Sequence, residues 1–443
     1  MSSVITHGHS LPLGELSENA NTVDQRMRPL RVLVGAFLVT SFATTLGLPE
    51  GAVVPIHLTR WLVLMCASIV AVNHFLRLPI SSQGAAWLLS GLYAAGTIVY
   101  TIDIPATALR STAFIGLAAA AFLGGSLCYQ GTSSAPHRLP SRIAIAVTCL
   151  AIASIVGFVL GAPASFFHET GLLRGVFCHA NAMGAFGAMW LVVCVGVYDS
   201  RLSRHRNFIV VGVIAMTACL LASKSRAGFG GAMIGVLFYL LVSRRTGRLF
   251  VVGMLLTTAL LAAFVLLPFA ANVATREGGD FVFKGNEGDF LLSRRDLWEE
   301  GWENFLSKPW FGYGFGTSVG QEMKEWRVVG LGGREKGSAL IAILEETGVV
   351  GTVVMGLPLL LCMANGLRLR RLNIRLAGST SDLASDAKLA AAFWAGTVGG
   401  IANNLAEGSL WSPGSPYGGM LLFLAGAAEG LMFRTEGRTE GRL

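Results

Sequence analysis

The chain has 443 residues, of which 53% are hydrophobic and only 14% are charged. Because soluble domains carry about 25% charged residues, this composition excludes a soluble globular protein and predicts an all-α polytopic membrane protein. Much of the net charge of +8 is assigned to cytoplasmic loops, since no basic run interleaved with aromatic residues points to nucleic acid.

The polar stretch 1–24 lacks the basic and then apolar order of a signal peptide, so it is predicted to be a disordered cytoplasmic tail. A membrane-spanning helix needs about 20 apolar residues, and this criterion predicts about 12 spans. They lie near 30–48, 58–76, 84–102, 111–129, 142–161, 180–198, 207–223, 227–243, 248–270, 348–366, 388–405 and 416–433.

These spans divide the chain into five parts. They are a cytoplasmic tail (1–28), the first nine transmembrane helices (29–270), a long outer loop with amphipathic helices (271–347), the last three transmembrane helices (348–434) and a second cytoplasmic tail (435–443). Clusters of arginine in alternate loops satisfy the positive-inside rule when both termini are cytoplasmic. An error of one span would place half of these clusters on the wrong side.

One predicted outer loop, 271–336, is long and contains aromatic and charged residues. Within it, 293–307 has helical spacing, with Ser293 as its N-cap. The apolar residues on one side of this helix are Leu297, Trp298, Trp302 and Phe305. We predict that the helix lies on the outer membrane surface or roofs a cavity. A further helix at 338–347 leads into the tenth span.

A second group of cations lies on the predicted outer face, against the orientation signal. Its members are Arg174, Lys224, Arg226, Arg294 and Arg295. The simplest reason for them is an anionic ligand on that side of the membrane, because arginine matches phosphate oxygens in pairs. His179 and Asn181 add polar groups at a helix N-terminus, where backbone N–H groups favour anions.

Each of these cations also has a plain structural alternative. Arg174 fits a snorkelling arginine beside a capped helix end, and Lys224 and Arg226 could snorkel to the interface. Arg295 fits a salt bridge with Glu299 on a solvated helix face. If the ligand alternative holds, cations from three segments clasp a pyrophosphate.

No metal or other cofactor is expected, because the sequence contains no Asp-rich metal motif. The seven cysteines form no CxxC pair and are expected to be small packing residues. The 55 glycines are expected to permit close helix–helix contacts in the membrane.

Four segments, in this order, resemble the O-antigen ligase and polymerase superfamily of the bacterial envelope. They are 174–181, 225–228, 294–314 and 344–351. The resemblance implies a helical bundle in the inner membrane with its active site on the periplasmic side. It also implies a metal-independent, inverting transfer of polysaccharide from undecaprenyl pyrophosphate to lipid A–core, with a histidine as base and arginines on the pyrophosphate.

The chain departs from the family pattern at one position. Aligning Glu346, Thr347 and Gly348 with the family's Glu-Thr-Gly places Gly337, next to Ser338, where the resemblance implies the histidine base. Two explanations stay open: a variant with its base removed, which we favour because the other motifs are intact, or a natural member that works differently. Glu346 is interpreted as a supporting partner of the site or a tie between helix and loop.

Three functions are compatible with a membrane protein of this pattern. The first is an O-antigen ligase acting in lipopolysaccharide maturation. The second is an O-antigen polymerase or protein O-oligosaccharyltransferase with the same donor, which the sequence separates poorly from a ligase. The third is a transporter or flippase, which is disfavoured because the spans are largely free of charge at mid-depth.

Overall fold

The computed structural model describes residues 13–47, 50–75, 81–130, 138–160, 173–200, 204–243, 292–317, 337–379 and 381–440. Every regular element in these ranges is a helix, apart from isolated bridge residues at Leu46, Leu173 and Phe177, of which Leu46 pairs antiparallel with Phe177. The helices are α1 (Leu13–Thr44), α2 (Glu50–Phe75), α3 (Ser82–Gly96), α4 (Ile104–Leu117), α5 (Gly124–Gln130), α6 (Arg138–Val159), α7 (Ala180–Asp199), α8 (Arg206–Ala222), α9 (Arg226–Ser243), α10 (Leu292–Ser307), α11 (Ala339–Arg375), α12 (Asp382–Asn404) and α13 (Pro416–Thr439).

Two of these helices are locally irregular. A π-helical turn at Ala118–Leu123 joins α4 to α5 into one continuous helix, Ile104–Gln130. Helix α11 is interrupted at Gly348, where φ is 63° and ψ is −166°. The short segment before Gly348 corresponds to the helix predicted at 338–347, and the longer segment after it corresponds to the tenth predicted span.

The all-α membrane architecture is confirmed. Eight of the described helices are long and apolar enough to cross a membrane: α1, α2, the α4–α5 helix, α6, α7, α9, α11 and α13. Helices α3, α8 and α12 coincide with three more of the predicted spans. The predicted span at 248–270 lies outside the described residues, so the count of 12 stays a prediction.

Several predicted details need correction. Residues 13–24 are helical, because α1 begins at Leu13, so the N-terminal tail is not disordered throughout. Helix α10 begins at Leu292, and Ser293 therefore lies in its first turn instead of capping it. The predicted apolar side of α10 does not share one environment: Phe305 is buried, whereas Trp302 is 48% exposed.

Glycines permit the closest contacts between helices, as expected. Gly399 of α12 lies against the carbonyl of Ala188 in α7 and that of Gly231 in α9. Gly426 of α13 lies against the carbonyl of Phe122 in the π-helical turn. Small residues bring helix backbones together in a membrane, where van der Waals packing replaces the hydrophobic effect between helices.

Contacts between helix ends place the candidate segments at one end of the bundle. Cys178, before α7, donates from its backbone N–H to Thr45 at the end of α1. Ile102, before α4, donates to the carbonyl of Tyr313 after α10. Arg60 of α2 reaches the carbonyl of Gly414 before α13. We call this end the site end.

The close approach of α13 and the π-helical turn gives a first prediction. Gly426→Ala should destabilise the protein by about 1–3 kcal/mol, because the added methyl group would overlap the Phe122 backbone. The matched control is Gly356→Ala in α11, where an added Cβ has no heavy atom within 4 Å. Thermal unfolding in detergent compares the two variants. Equal midpoints would contradict the packing argument.

Candidate functional site

The segment 309–317, which we call the glycine loop, completes the broken helix α11. In an unbroken helix, the amides of Val349 and Val350 would donate to the carbonyls of Glu345 and Glu346. Here these amides donate instead to Pro309 and Trp310, at 2.8 and 3.2 Å. The two freed carbonyls accept from Tyr313 and Gly314, at 3.2 and 2.7 Å. The loop therefore satisfies the four backbone groups that the break at Gly348 exposes.

The side chains of the two glutamates hold the same region. Glu346 accepts a hydrogen bond from the backbone N–H of Gly316 through Oε2, at 2.7 Å. Glu345 is 3% exposed and accepts from the side-chain amide of Asn304 in α10, at 3.3 Å. Glu346 thus connects α11 to the glycine loop, and Glu345 connects α11 to α10, which is the geometry of a helix–loop tie.

Arg110 is a cation of this region that the sequence analysis passed over. It lies in the second turn of α4, where its side chain packs against Gly316, whose φ is 76°. It is also within electrostatic range of Glu346 and of Asp103. The signal that could have revealed it is its position near the outer end of a predicted span, against the positive-inside trend.

Gly337 and Ser338 precede α11, and both are buried. The φ angle of Gly337 is 63°, a left-handed conformation that costs glycine little. The Ser338 carbonyl accepts from Ala342 in the first turn of the helix. Gly337 therefore has a backbone role at the start of α11, whether or not a histidine occupies this position in the family.

The segment before α7 is fixed by its backbone. His179 caps the helix by accepting a hydrogen bond from the N–H of Asn181 through Nδ1, at 3.1 Å. Val176 donates to the hydroxyl of Ser154 in α6 at 3.2 Å, and its carbonyl accepts from Gly47 at 2.9 Å. Arg174 is partly exposed and makes a long hydrogen bond of 3.5 Å with the carbonyl of Cys178.

The turn between α8 and α9 is as short as predicted. Lys224 has a φ of 48° and, like Arg226, is only partly exposed. Ser225 is buried and lies against Gly184 of α7, and Gly228 of α9 lies against the same glycine. The structure therefore brings the starts of α7 and α9 together, and these carry Arg174 and Arg226, respectively.

Arg294 and Arg295 belong to the first turn of α10, but the described part of the structure does not include their side chains. Helix α10 packs on α11 through Gly301, which lies against Ile341. That all five predicted cations surround one ligand consequently stays a prediction. Two of the three segments that carry them are in contact.

One buried acid modifies the expectation that the spans carry little charge. Glu429 of α13 is 4% exposed and accepts a hydrogen bond from Ser81 at 2.8 Å. It borders a small cavity, of about 10 Å³, together with Gln83, Asn365 and Trp394. This volume is about that of one water molecule, so the cavity fits a buried water and leaves no room for a transported sugar.

The Glu346 hydrogen bond gives a second prediction. Glu346→Ala should increase the hydrogen-exchange rate at Gly316, with a loss of about 1–3 kcal/mol in local stability, because it leaves a buried N–H without an acceptor. Glu346→Gln keeps an acceptor oxygen and should retain much of the protection. Unchanged exchange in Glu346→Ala, measured by mass spectrometry of peptides covering 309–317, would show that the tie is not needed.

Residues 211–356 match the model of a family described as O-Antigen ligase. The matched region covers Lys224, Arg226, the glycine loop and the start of α11 with Gly337 and Glu346. It begins after Arg174 and the α7 segment. No curated protein matches the chain. This match covers less than half of the chain and, with the ordered motifs and the helical membrane architecture, supports membership of the O-antigen ligase superfamily.

Proposed function

We propose that the chain is an O-antigen ligase of the bacterial inner membrane. It transfers a polysaccharide from undecaprenyl pyrophosphate to lipid A–core on the periplasmic side. The observation that carries the proposal is the contact between α7 and α9 at Gly184 and Gly228, which places two cation-bearing segments side by side within or next to the matched region.

The proposed reaction is a direct displacement. The acceptor hydroxyl oxygen forms a bond to the anomeric carbon of the donor, and the bond from that carbon to the pyrophosphate oxygen breaks. The electron pair leaves with the pyrophosphate, whose negative charge is stabilised by Arg174, Lys224, Arg226, Arg294 and Arg295. The hydroxyl proton passes to a base or to water, and the anomeric configuration inverts. No metal takes part in this proposal.

Fixed backbone around the cations supports this assignment. The capped start of α7 and the turn between buried Ser223 and Ser225 restrict where Arg174, Lys224 and Arg226 can reach. Positioning of charged groups before the reaction is what makes electrostatic stabilisation effective, because little reorganisation is then needed. In this proposal His179 and Asn181 support the site by capping α7. Ser338 and Glu346 support it at the start of α11.

Replacing the proposed donor-binding cations gives a third prediction. Arg174→Ala and Arg226→Ala should each weaken binding of lipid-linked donor by about tenfold or more, because each removes a charge-assisted contact to phosphate. Arg204→Ala is the control, since Arg204 is exposed before α8 at the opposite end of the bundle. Binding is measured with purified protein and undecaprenyl-pyrophosphate-linked glycan. Retained binding in both variants would contradict the proposal and indicate that these arginines only snorkel to the membrane interface.

The glycine at position 337, where the resemblance implies a histidine base, gives a fourth prediction. If the base has been removed from this chain, Gly337→His should raise the transfer rate by about 10²–10⁴-fold, which is the usual contribution of a positioned base. Gly337→Ala imposes a similar backbone cost at a φ of 63° without supplying a base. Transfer is measured in vitro with lipid-linked donor and lipid A–core.

The outcome of this comparison separates the two explanations. A rise in Gly337→His alone supports a missing base. No rise, with both variants folded and binding donor, favours a natural member with a different proton acceptor. A product on lipid A–core identifies a ligase, whereas lengthening of the lipid-linked glycan without lipid A–core identifies a polymerase.

A further inference from the structure

A buried arginine at the site end has no counter-charge among the residues that the structure describes. Arg60 of α2 is only 3% exposed, and its Nη2 donates to the carbonyl of Gly414 at 2.7 Å. Its guanidinium also lies 5.1 Å from the ring centroid of Trp61. Among the described residues, no carboxylate forms an ion pair with Arg60. Neither contact neutralises the positive charge.

Three residues around this contact have a buried donor or acceptor atom without a hydrogen-bond partner in the described structure, and the Tyr417 hydroxyl among them is also within electrostatic range of Cys178 and Glu407. These atoms are Nη1 of Arg60, Nδ1 of His57 and the hydroxyl of Tyr417. His57 precedes Arg60 by three residues and therefore projects from the same face of α2. Tyr417 lies in the first turn of α13, three residues after the carbonyl that Arg60 contacts.

Burial of an unpaired charge is costly, and most buried polar atoms in proteins have partners. Water could satisfy the orphaned Nη1 atom but could not balance the charge. An anion would do both. A phosphate group fits best, because a guanidinium presents paired N–H groups to its oxygens and the remaining oxygens suit His57 and the Tyr417 hydroxyl.

The backbone that Arg60 contacts is held in place by aromatic packing. The loop that supplies Gly414 is fixed by Trp411, which packs 5.7 Å from Trp87 and 5.9 Å from Phe114 between ring centroids. The carbonyl that Arg60 contacts therefore belongs to a fixed loop.

We infer that Arg60, His57, Tyr417 and the Gly414 loop form a binding site for a phosphate group at the site end of α2. The group is carried by a lipid headgroup or is free phosphate. This site is formed by α2 and α13 and shares no residue with the proposed pyrophosphate clasp, so it stands or falls independently of the proposed glycosyl transfer.

The test measures ligand-dependent thermal stabilisation of the full chain in dodecylmaltoside. The probes are inorganic phosphate against chloride of equal ionic strength, and dihexanoyl phosphatidic acid against dihexanoyl phosphatidylcholine. We expect saturable stabilisation by at least one phosphate probe. Stabilisation by both, or by inorganic phosphate alone, identifies a site open to free phosphate. Stabilisation by phosphatidic acid alone identifies a lipid headgroup site.

Variants decide whether the stabilisation arises at this site. Arg60→Met should weaken the apparent affinity about tenfold or more, because it removes the charged donor. It should lower the ligand-free midpoint little, since it also removes an unpaired buried charge. Arg142→Met, at an exposed arginine near the start of α6, is the matched control and should bind as the unaltered chain does.

Two milder variants keep the proposal testable if Arg60→Met does not fold. Arg60→Lys retains the charge but loses the planar fork, and Tyr417→Phe loses one hydroxyl, so each should bind the phosphate probe more weakly than the unaltered chain. The inference is overturned if neither probe stabilises the unaltered chain, or if the folded Arg60 and Tyr417 variants retain its full affinity.

Discussion

The exchange of backbone hydrogen bonds at Gly348 organises the candidate site. A helix that enters a membrane cannot leave amides and carbonyls unpaired, because lipid offers no substitute partners. Helix α11 breaks at Gly348, and the glycine loop supplies the partners that the break removes. The same loop is bound by the carboxylate of Glu346 and by Arg110 packed on Gly316. Two family motifs far apart in sequence are therefore parts of one hydrogen-bonded unit.

This unit explains why glycines occur at fixed places in the motif. The φ angles of Gly312, Gly314 and Gly316 are 67°, 107° and 76°, so three alternate residues are left-handed. At Gly312 an added Cβ would also overlap the backbone of Glu346. A side chain there would separate the loop from α11 and leave the freed carbonyls without donors.

The sequence predicted the helices of this fold better than the contacts between them. Apolar length predicted the spans, and a short helix was predicted at 338–347, because hydropathy and helical spacing are local signals. The exchange between the glycine loop and α11 joins residues more than thirty positions apart through backbone atoms, which carry no side-chain signature. Arg60 and Arg110 escaped notice for a related reason: each lies inside an apolar helix, where a single cation changes the average hydropathy little.

The two groups of arginines differ in what their environments permit. Arg174 and Arg226 are partly exposed and lie on short, fixed segments, which suits the exchange of water for the proposed ligand. Arg60 is enclosed, and a partner there would be held without rapid exchange. The proposed transfer requires the first arrangement, because the pyrophosphate of the proposed donor has to leave as product. The second arrangement suits a ligand that stays bound and stabilises the fold, so the difference in burial is consistent with different roles for the two proposed ligands.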